Sequence, residues 1–201
     1  MKQGYSHGHP YVEIGGVKWA TMNVGAKDVT DGGLYFAWGE TKGYSREEID
    51  KVKGFTWENY KFGHYCNIKK YNGKDKLKTL QPQDDPVHVN WRGGLRLPTK
   101  EEFAALKEAT TSEWVHNYQG SGVNGLLVKD RSDLSKQLFF PAMGYVHEKF
   151  VKCTVVEGNY WSLSLHSVNC AGAWFICLDG TGVIEGYCYR DYGFSVRGVL
   201  D

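Results

Sequence analysis

Five cysteines and seven histidines are the side chains of this sequence best suited to act as nucleophile, base or metal ligand. Their spacing favours none of these roles. Cys66, Cys153, Cys170, Cys177 and Cys188 form an odd set with no Cys-x-x-Cys pair. That argues against a zinc site and a complete disulfide framework, and leaves free thiols or a single bridge. His64, His88, His116 and His147 lack any His-Glu-x-x-His or paired spacing, and the His7-Gly8-His9 segment reads as a solvated N-terminal tail. No Gly-x-Ser-x-Gly marks an acyl-transfer nucleophile. Asp84-Asp85 and Asp179 carry oxygens of the kind calcium takes, yet adjacent acids before Pro86 read first as a solvated turn. Trp91-Arg92-Gly93-Gly94 has the wrong glycine spacing for a phosphate loop and reads as a tight turn. The expectation is a protein without catalytic residues, metal or cofactor, which acts by binding.

The elements that must position such a binding surface are short. Basic and acidic residues balance to a net charge of +1, so no overall field draws the chain to nucleic acid or an anionic membrane. No run approaches the ~18 apolar residues of a membrane helix, and no apolar signal core stands near the N-terminus. Residues 1–201 are expected to form one domain. Seven Trp, thirteen Tyr and 25 Gly suit short strands and long loops anchored by rings. Residues 11–24 read as a hairpin about Gly15-Gly16. Residues 32–38 read as an aromatic strand or buried loop, and 39–50 as a polar stretch with room for one short helix. Residues 51–91 lack periodicity, and so long a loop is usually ordered for function or an insertion.

The clearest helix opens where Pro98 precedes a capping box of Thr99 and Glu102, with Phe103 and Leu106 on one face, predicting a helix over 99–110. Strands are predicted at 123–128, 137–146, 159–165, 173–178, 182–189 and 194–200, with no helix signal after Thr111. The predicted class is α+β, with helices in the first half and an antiparallel sheet completed by the C-terminal third.

Composition changes sharply along the chain. Lys occurs eighteen times up to Lys152 and never afterwards, and Gln and Met vanish after Gln137 and Met143. At their earlier frequency about eight of these residues belong in the remainder. Burial of the C-terminal strands accounts for part of the deficit, since long polar side chains avoid interiors. It does not account for His166, Asn169, Asp179, Arg190 and Asp191. A second account starts from codons: Asn codons ending in a pyrimidine, when substituted at their adenines, never yield Lys, Gln, Glu, Met or Trp. Residues 165–194 obey that restriction except at Trp174 and Glu185, which then belong to a fixed frame.

The segment Arg96-Leu97-Pro98-Thr99-Lys100-Glu101-Glu102-Phe103 resembles the helix start of formylglycine-generating-enzyme-type C-type-lectin folds. Val12-Glu13-Ile14-Gly15-Gly16-Val17-Lys18-Trp19-Ala20, Tyr35-Phe36-Ala37-Trp38-Gly39-Glu40, Phe140-Pro141-Ala142, Gly158-Asn159-Tyr160-Trp161-Ser162 and Ser195-Val196-Arg197 resemble the major paralogous domain family. That is a C-type-lectin-like family of secreted and phage or prophage proteins common in gut bacteria. It includes variable proteins of diversity-generating retroelements, and the similarity covers nearly the whole chain.

The resemblance implies a C-type-lectin-like fold with 159–199 as the variable ligand-binding region. Trp161, Trp174, Ile176, Leu178, Val183 and Val196 would be frame. The substituted, ligand-binding positions would be His166, Val168, Asn169, Cys170, Phe175, Cys177, Asp179, Ile184, Tyr187, Cys188, Tyr189, Asp191, Tyr192 and Phe194. Phe175, Tyr187, Tyr189, Tyr192 and Phe194 would serve as aromatic anchors, which contribute large apolar area at low entropy cost. The competing reading makes these rings ordinary core, above all Tyr187 and Phe194. Two departures from the family are Gly198, where it has Pro, and Phe194, often Arg.

The fold's enzymes oxidise sulfatase cysteines with a cysteine pair, whereas the C-terminal thiols here are scattered over positions that look substituted. The sugar-binding Glu-Pro-Asn, Gln-Pro-Asp and Trp-Asn-Asp motifs are absent. The implied function is non-enzymatic adhesion to a protein or glycan ligand on a cell or phage-host surface, by a protein that is extracellular, cell-surface or on a phage particle. A fixed adhesin or structural domain of the same fold is the alternative.

Overall fold

The computed structural model describes residues 4–52, 54–92 and 94–200. Strands β1 (Gly4–Ser6), β2 (His9–Ile14) and β3 (Val17–Asn23) open the chain. Both Gly15 and Gly16 between β2 and β3 have left-handed φ (60° and 78°), which a two-residue reversal between twisted strands demands. Val12 and Ile14 alternate with exposed Glu13 and so face the core. His9 is stacked on Trp91 at 4.2 Å, so the His-Gly-His segment is held in the first hairpin instead of forming a solvated tail.

A small hairpin follows, β4 (Gly63–His64) with β5 (Asn67–Ile68). Next come α1 (Pro86–Trp91), β6 (Leu95–Arg96) and α2 (Lys100–Ala109). The capping box of α2 forms: Thr99 Oγ1 accepts from the Glu102 N–H, and the Glu102 carboxylate accepts from the Thr99 N–H and, forked, from Arg96. Helix α1 has no sequence expectation behind it. Asp85 caps it by accepting from the Val87 and His88 N–H groups, and its other oxygen takes the Leu97 N–H. Asp84 is held at 2.6 Å by each of Lys61, Lys70 and the Tyr71 hydroxyl. The acids expected in a solvated turn are therefore both buried, because every carboxylate oxygen finds a donor. In the turn after α1, Arg92 and Gly94 have left-handed φ, and Gly93 lies outside the described residues.

The remaining strands are β7 (Thr110–Val115), β8 (Gly125–Asp130), β9 (Gln137–Pro141), β10 (Tyr145–His147), β11 (Phe150–Lys152), β12 (Glu157–Leu165), β13 (Gly172–Asp179), β14 (Gly182–Tyr189) and β15 (Arg197–Leu200). They build a five-stranded sheet in the order β1-β2-β3-β15-β6, the three-stranded sheets β7-β8-β9 and β12-β13-β14, and the hairpin β10-β11. Strand pairing within these sheets is antiparallel throughout.

This corrects the predicted α+β, formylglycine-generating-enzyme-type C-type-lectin class with its helices in the first half. The protein is mostly antiparallel β in several sheets, with little helix. Its first half supplies four strands, β1, β2, β3 and β6, to the largest sheet, and the two α-helices of the described residues are six and ten residues long. The physical reason is nucleation: a helix must fix several residues before gaining bonds, and the capped starts after Ser45, Asp85 and Thr99 yield only a six-residue 3-10 helix (Arg46–Lys51), as room in residues 39–50 allowed, and two short α-helices. Elsewhere in the first half, Gly, Asn and Asp turns interrupt any helical run. Even α2 ends abruptly, as Thr110 donates to the Leu106 carbonyl and the β-branched pair Thr110-Thr111 passes into β7.

Two large apolar clusters share the interior, with a small third one of Tyr118, Leu127 and Phe139 beside them. One joins Val12, Trp19, Phe103, Phe140, Tyr160 and Ile176 between the large sheet, α2 and the strands β8, β9, β12 and β13. The other gathers Trp38, Tyr71, Trp161 and Phe194 from loops and strands. Between sheets lies Arg197, fully buried. Its guanidinium donates to Asn23 Oδ1 (2.8 Å), the Ala20 carbonyl (3.2 Å) and the Phe139 carbonyl (3.1 Å), and it lies over the Phe140 ring at 4.6 Å. Burial pulls its pKa down to about 10, which leaves it charged at neutral pH.

Arg197→Met strands three acceptors in the interior at roughly 1–3 kcal/mol each, so it should lower the unfolding free energy by at least about 3 kcal/mol. Urea unfolding followed by Trp fluorescence measures this, and an unchanged midpoint would contradict the role given to Arg197.

Candidate functional site

Pairing in the C-terminal sheet fixes which side chains share a face. Opposed residues run Trp161, Phe175, Gly186; Asn159, Cys177, Ile184; and Leu165, Ala173, Cys188. The other parity runs Tyr160, Ile176, Glu185; Gly158, Leu178, Val183; then Trp174 with Tyr187, and Gly172 with Tyr189. Because the side-chain period is two, the candidate residues do not form one face. Phe175, Cys177, Asp179, Ile184 and Cys188 lie on one side, and Tyr187 and Tyr189 on the other.

The Tyr187 side is covered by α2 only over its inner part, where Ile176, Leu178 and Val183 join the core with Phe103 and Leu106. Beyond that cover, Tyr187 stacks on His166 at 4.0 Å, and His166 stands 5.1 Å from Trp174. Lys100 Nζ lies 4.9 Å over the Trp174 ring. Burial, then the Lys100 charge, lowers the His166 pKa. The loop beside this patch is shaped by its own polar residues: His166 Nδ1 accepts from the Asn169 N–H, and Asn169 Oδ1 from the Ala171 N–H. Val168 projects from it 90% exposed, while Cys170 is half-buried.

On the opposite side Phe175 rests 4.8 Å from Phe194, and Tyr192 stacks on His147 at 4.2 Å with Tyr145 at 5.9 Å. Asp179 is committed to the β13–β14 turn, accepting from the Thr181 N–H and hydroxyl. Burial, reinforced by Glu157 and Asp179, pushes the Cys177 thiol up to about 12, and burial does the same for Cys188. Thiols so shifted are protonated at neutral pH and poor nucleophiles. Cys177 and Cys188 share a face but stand four pairing positions apart, about 13 Å at the strand rise, and Cys170 lies in the loop. All five cysteines are free.

Two candidates are not at the surface. Phe194 is 2% exposed, stacked on Trp161 at 4.2 Å and tied by backbone bonds to Phe36, so it is core. Asp191 is 3% exposed and lines a cavity of about 320 Å³ with Glu40, Tyr44, Phe55, Thr56, Glu58 and Tyr60. Tyr189, 48% exposed, meets Trp57 at 6.1 Å, and Trp57 meets the wall residue Tyr60 at 5.4 Å. Sequence reasoning missed these residues of 40–60. The one available signal was the length of a loop with many aromatic and acidic residues.

Among the described residues no three His, Cys, Asp or Glu side chains gather where they could hold a metal ion. No family model, curated protein or solved structure matches the chain.

Val168→Ser, Ile184→Thr, Tyr187→Ser and Tyr189→Ser should each hold stability within about 1 kcal/mol of the parent, as surface substitutions do. Phe194→Ser should cost about 3–5 kcal/mol as a core truncation. Urea midpoints decide, and an equal loss at Tyr187 and Phe194 would put Tyr187 in the core. Asp191 gives a pH prediction. Burial, with Glu58 adding to it, raises its pKa from 3.8 to about 7. The folded state then holds its proton more tightly than the unfolded chain. This contribution to stability is complete below about pH 4 and is lost as pH rises through about 7. Unfolding of the parent and Asp191→Asn across that window should diverge, the parent falling more steeply; parallel curves would refute the shift.

Proposed function

We propose that this chain is a non-enzymatic ligand-binding protein whose C-terminal surface is diversified by adenine-directed retroelement substitution to recognise varied protein or glycan ligands. One observation carries the reading. After Val156, the exposed large apolar side chains are Val168, Ile184, Tyr187 and Tyr189, at 90, 43, 54 and 48%. All four stand at positions assigned to substitution. Solvent-facing sites are where Lys and Gln ordinarily accumulate, so burial does not explain their replacement by Val, Ile and Tyr. Exposed rings and branched chains on a sheet edge and its loop are the material of a contact surface.

Burial does explain other parts of the deficit. Arg190, Phe194 and Arg197 are interior and belong to the frame, so diversification is confined to the half-buried and exposed positions of 166–192. Protonated thiols at Cys177 and Cys188 weigh against thiol chemistry as the activity. The partner surface lies outside the cell or on a phage host in this reading. None of the described helices is long and apolar enough to cross a membrane.

Comparing the coding DNA with a neighbouring template copy tests the proposal. Codons for Val168, Ile184, Tyr187 and Tyr189 should differ from the template only opposite its adenines. Differences opposite other bases, or no template copy, would sink the retroelement origin and leave a fixed binding protein.

A further inference from the structure

The cavity beside Asp191 has an electrostatic character that the diversified surface does not account for. Its walls carry three acids, Glu40, Glu58 and Asp191, and three rings, Tyr44, Phe55 and Tyr60. Among the described residues no cationic side chain is in ion-pair contact with any of the three acids. The nearby cations are engaged elsewhere. Lys61 Nζ is held by Asp84 at 2.6 Å, and the Arg190 guanidinium donates to the carbonyls of Lys70 and Tyr71 while lying over Trp38 and Tyr60.

Asp191 is the independent sign of a missing partner. It is 97% withdrawn from solvent, and its Oδ1 has no hydrogen-bond partner, an arrangement that costs free energy unless a ligand or its own proton relieves it. Glu40, part-buried in the same lining, accepts the Lys61 N–H at 2.9 Å. Burial raises the pKa values of both carboxyls.

We propose that this cavity binds a small organic cation, a primary ammonium whose N–H groups bond the Asp191 and Glu40 carboxylates while its carbon chain rests on Tyr44, Phe55 and Tyr60. The three acids share the lining of a space of about 320 Å³ with three rings and do not gather as a metal's ligands would, so the space suits an occupant with an apolar chain as well as a charge. That volume is at the small end of ligand cavities. Aromatic walls favour a cation over a neutral guest of equal shape, since ring faces attract positive charge. The Tyr60 hydroxyl is tied to the Trp38 carbonyl at 2.6 Å and Tyr44 meets Phe55 edge to face at 6.1 Å, so the walls are preformed. Except for Asp191, every wall residue precedes Lys152. The site is thus a constant one beneath a variable rim, and it stands whether or not the surface above is diversified.

Titration of the full chain with n-butylammonium chloride, and with 1-butanol as its neutral counterpart, tests the assignment by calorimetry and by amide shifts of residues 54–60. The amine should bind saturably and the alcohol should not. Asp191→Asn should weaken the amine about tenfold or more, the loss of one hydrogen bond to a charged group. Glu58→Gln, on the exposed rim where folding is not at stake, should weaken it less, and the remote Glu113→Gln not at all. Equal binding of butanol, amine binding indifferent to both Asp191→Asn and Glu58→Gln, or no binding by the folded parent would overturn it.

Discussion

A single guanidinium holds the two ends of this chain together. Arg197 enters the interior without a carboxylate, and its N–H groups are instead taken by Asn23, Ala20 and Phe139, which belong to β3 and β9. A charge buried in this way is tolerated only when its donors are met and aromatic faces share its field, and the Phe140 and Tyr160 rings supply the latter. Asn23 also donates to the Tyr160 hydroxyl, which in turn donates to the Pro141 carbonyl. The network reaches the large sheet, β9 and the C-terminal sheet at once. Because β15 is inserted between β3 and β6, the last residues close the first sheet. The segment that precedes them is thereby held at both ends.

That closure explains how a surface could vary without loss of fold. The backbone of the C-terminal sheet is held by its ladder, which is indifferent to side-chain identity, and by a few buried anchors. Trp161 Nε1 donates to the Phe36 carbonyl and Trp38 Nε1 to the Ser162 carbonyl, so two indoles stitch the sheet to the loop at 36–38. Phe194 exchanges backbone bonds with Phe36 and stacks on Trp161. Between Val168 and Tyr189 the strands keep Ala173, Ile176, Leu178 and Val183 in the interior, while Val168, Ile184, Tyr187 and Tyr189 stand exposed and are free to serve contact.

The acid-lined cavity has the opposite logic. Asp191 follows directly on Arg190, which is buried between Trp38 and Tyr60 and tied to two carbonyls. The backbone there is bonded on both sides, Arg190 N–H to the Ala171 carbonyl and the Arg190 carbonyl to the Trp38 N–H, and the adjacent carboxyl is carried inward with it. A buried acid of raised pKa beside two others is the kind of perturbed site where ligands are found, in contrast with the solvated rings above it.

Local chemistry was legible in the sequence where one residue suffices to dictate geometry. The Thr99–Glu102 box set the start of α2 and Gly15-Gly16 the first reversal. The loss of Lys, Gln and Met after Lys152 was equally plain, and it marked the last quarter of the chain as different. Helix α1, the inward turn of Asp84 and Asp85 and the strand β7 were not legible, because their donors or pairing partners lie far along the chain. Helices were overestimated for the same reason: caps were visible, but the strands that compete for the backbone were not. The sequence by itself determined which side chains of a strand share a face. Only the tertiary structure decided which face is covered, since that depends on α2 lying over one side and residues 192–194 over part of the other. It thereby put Tyr187 in solvent, Phe194 in the core and Asp191 in a cavity, three fates that a period of two alone does not distinguish.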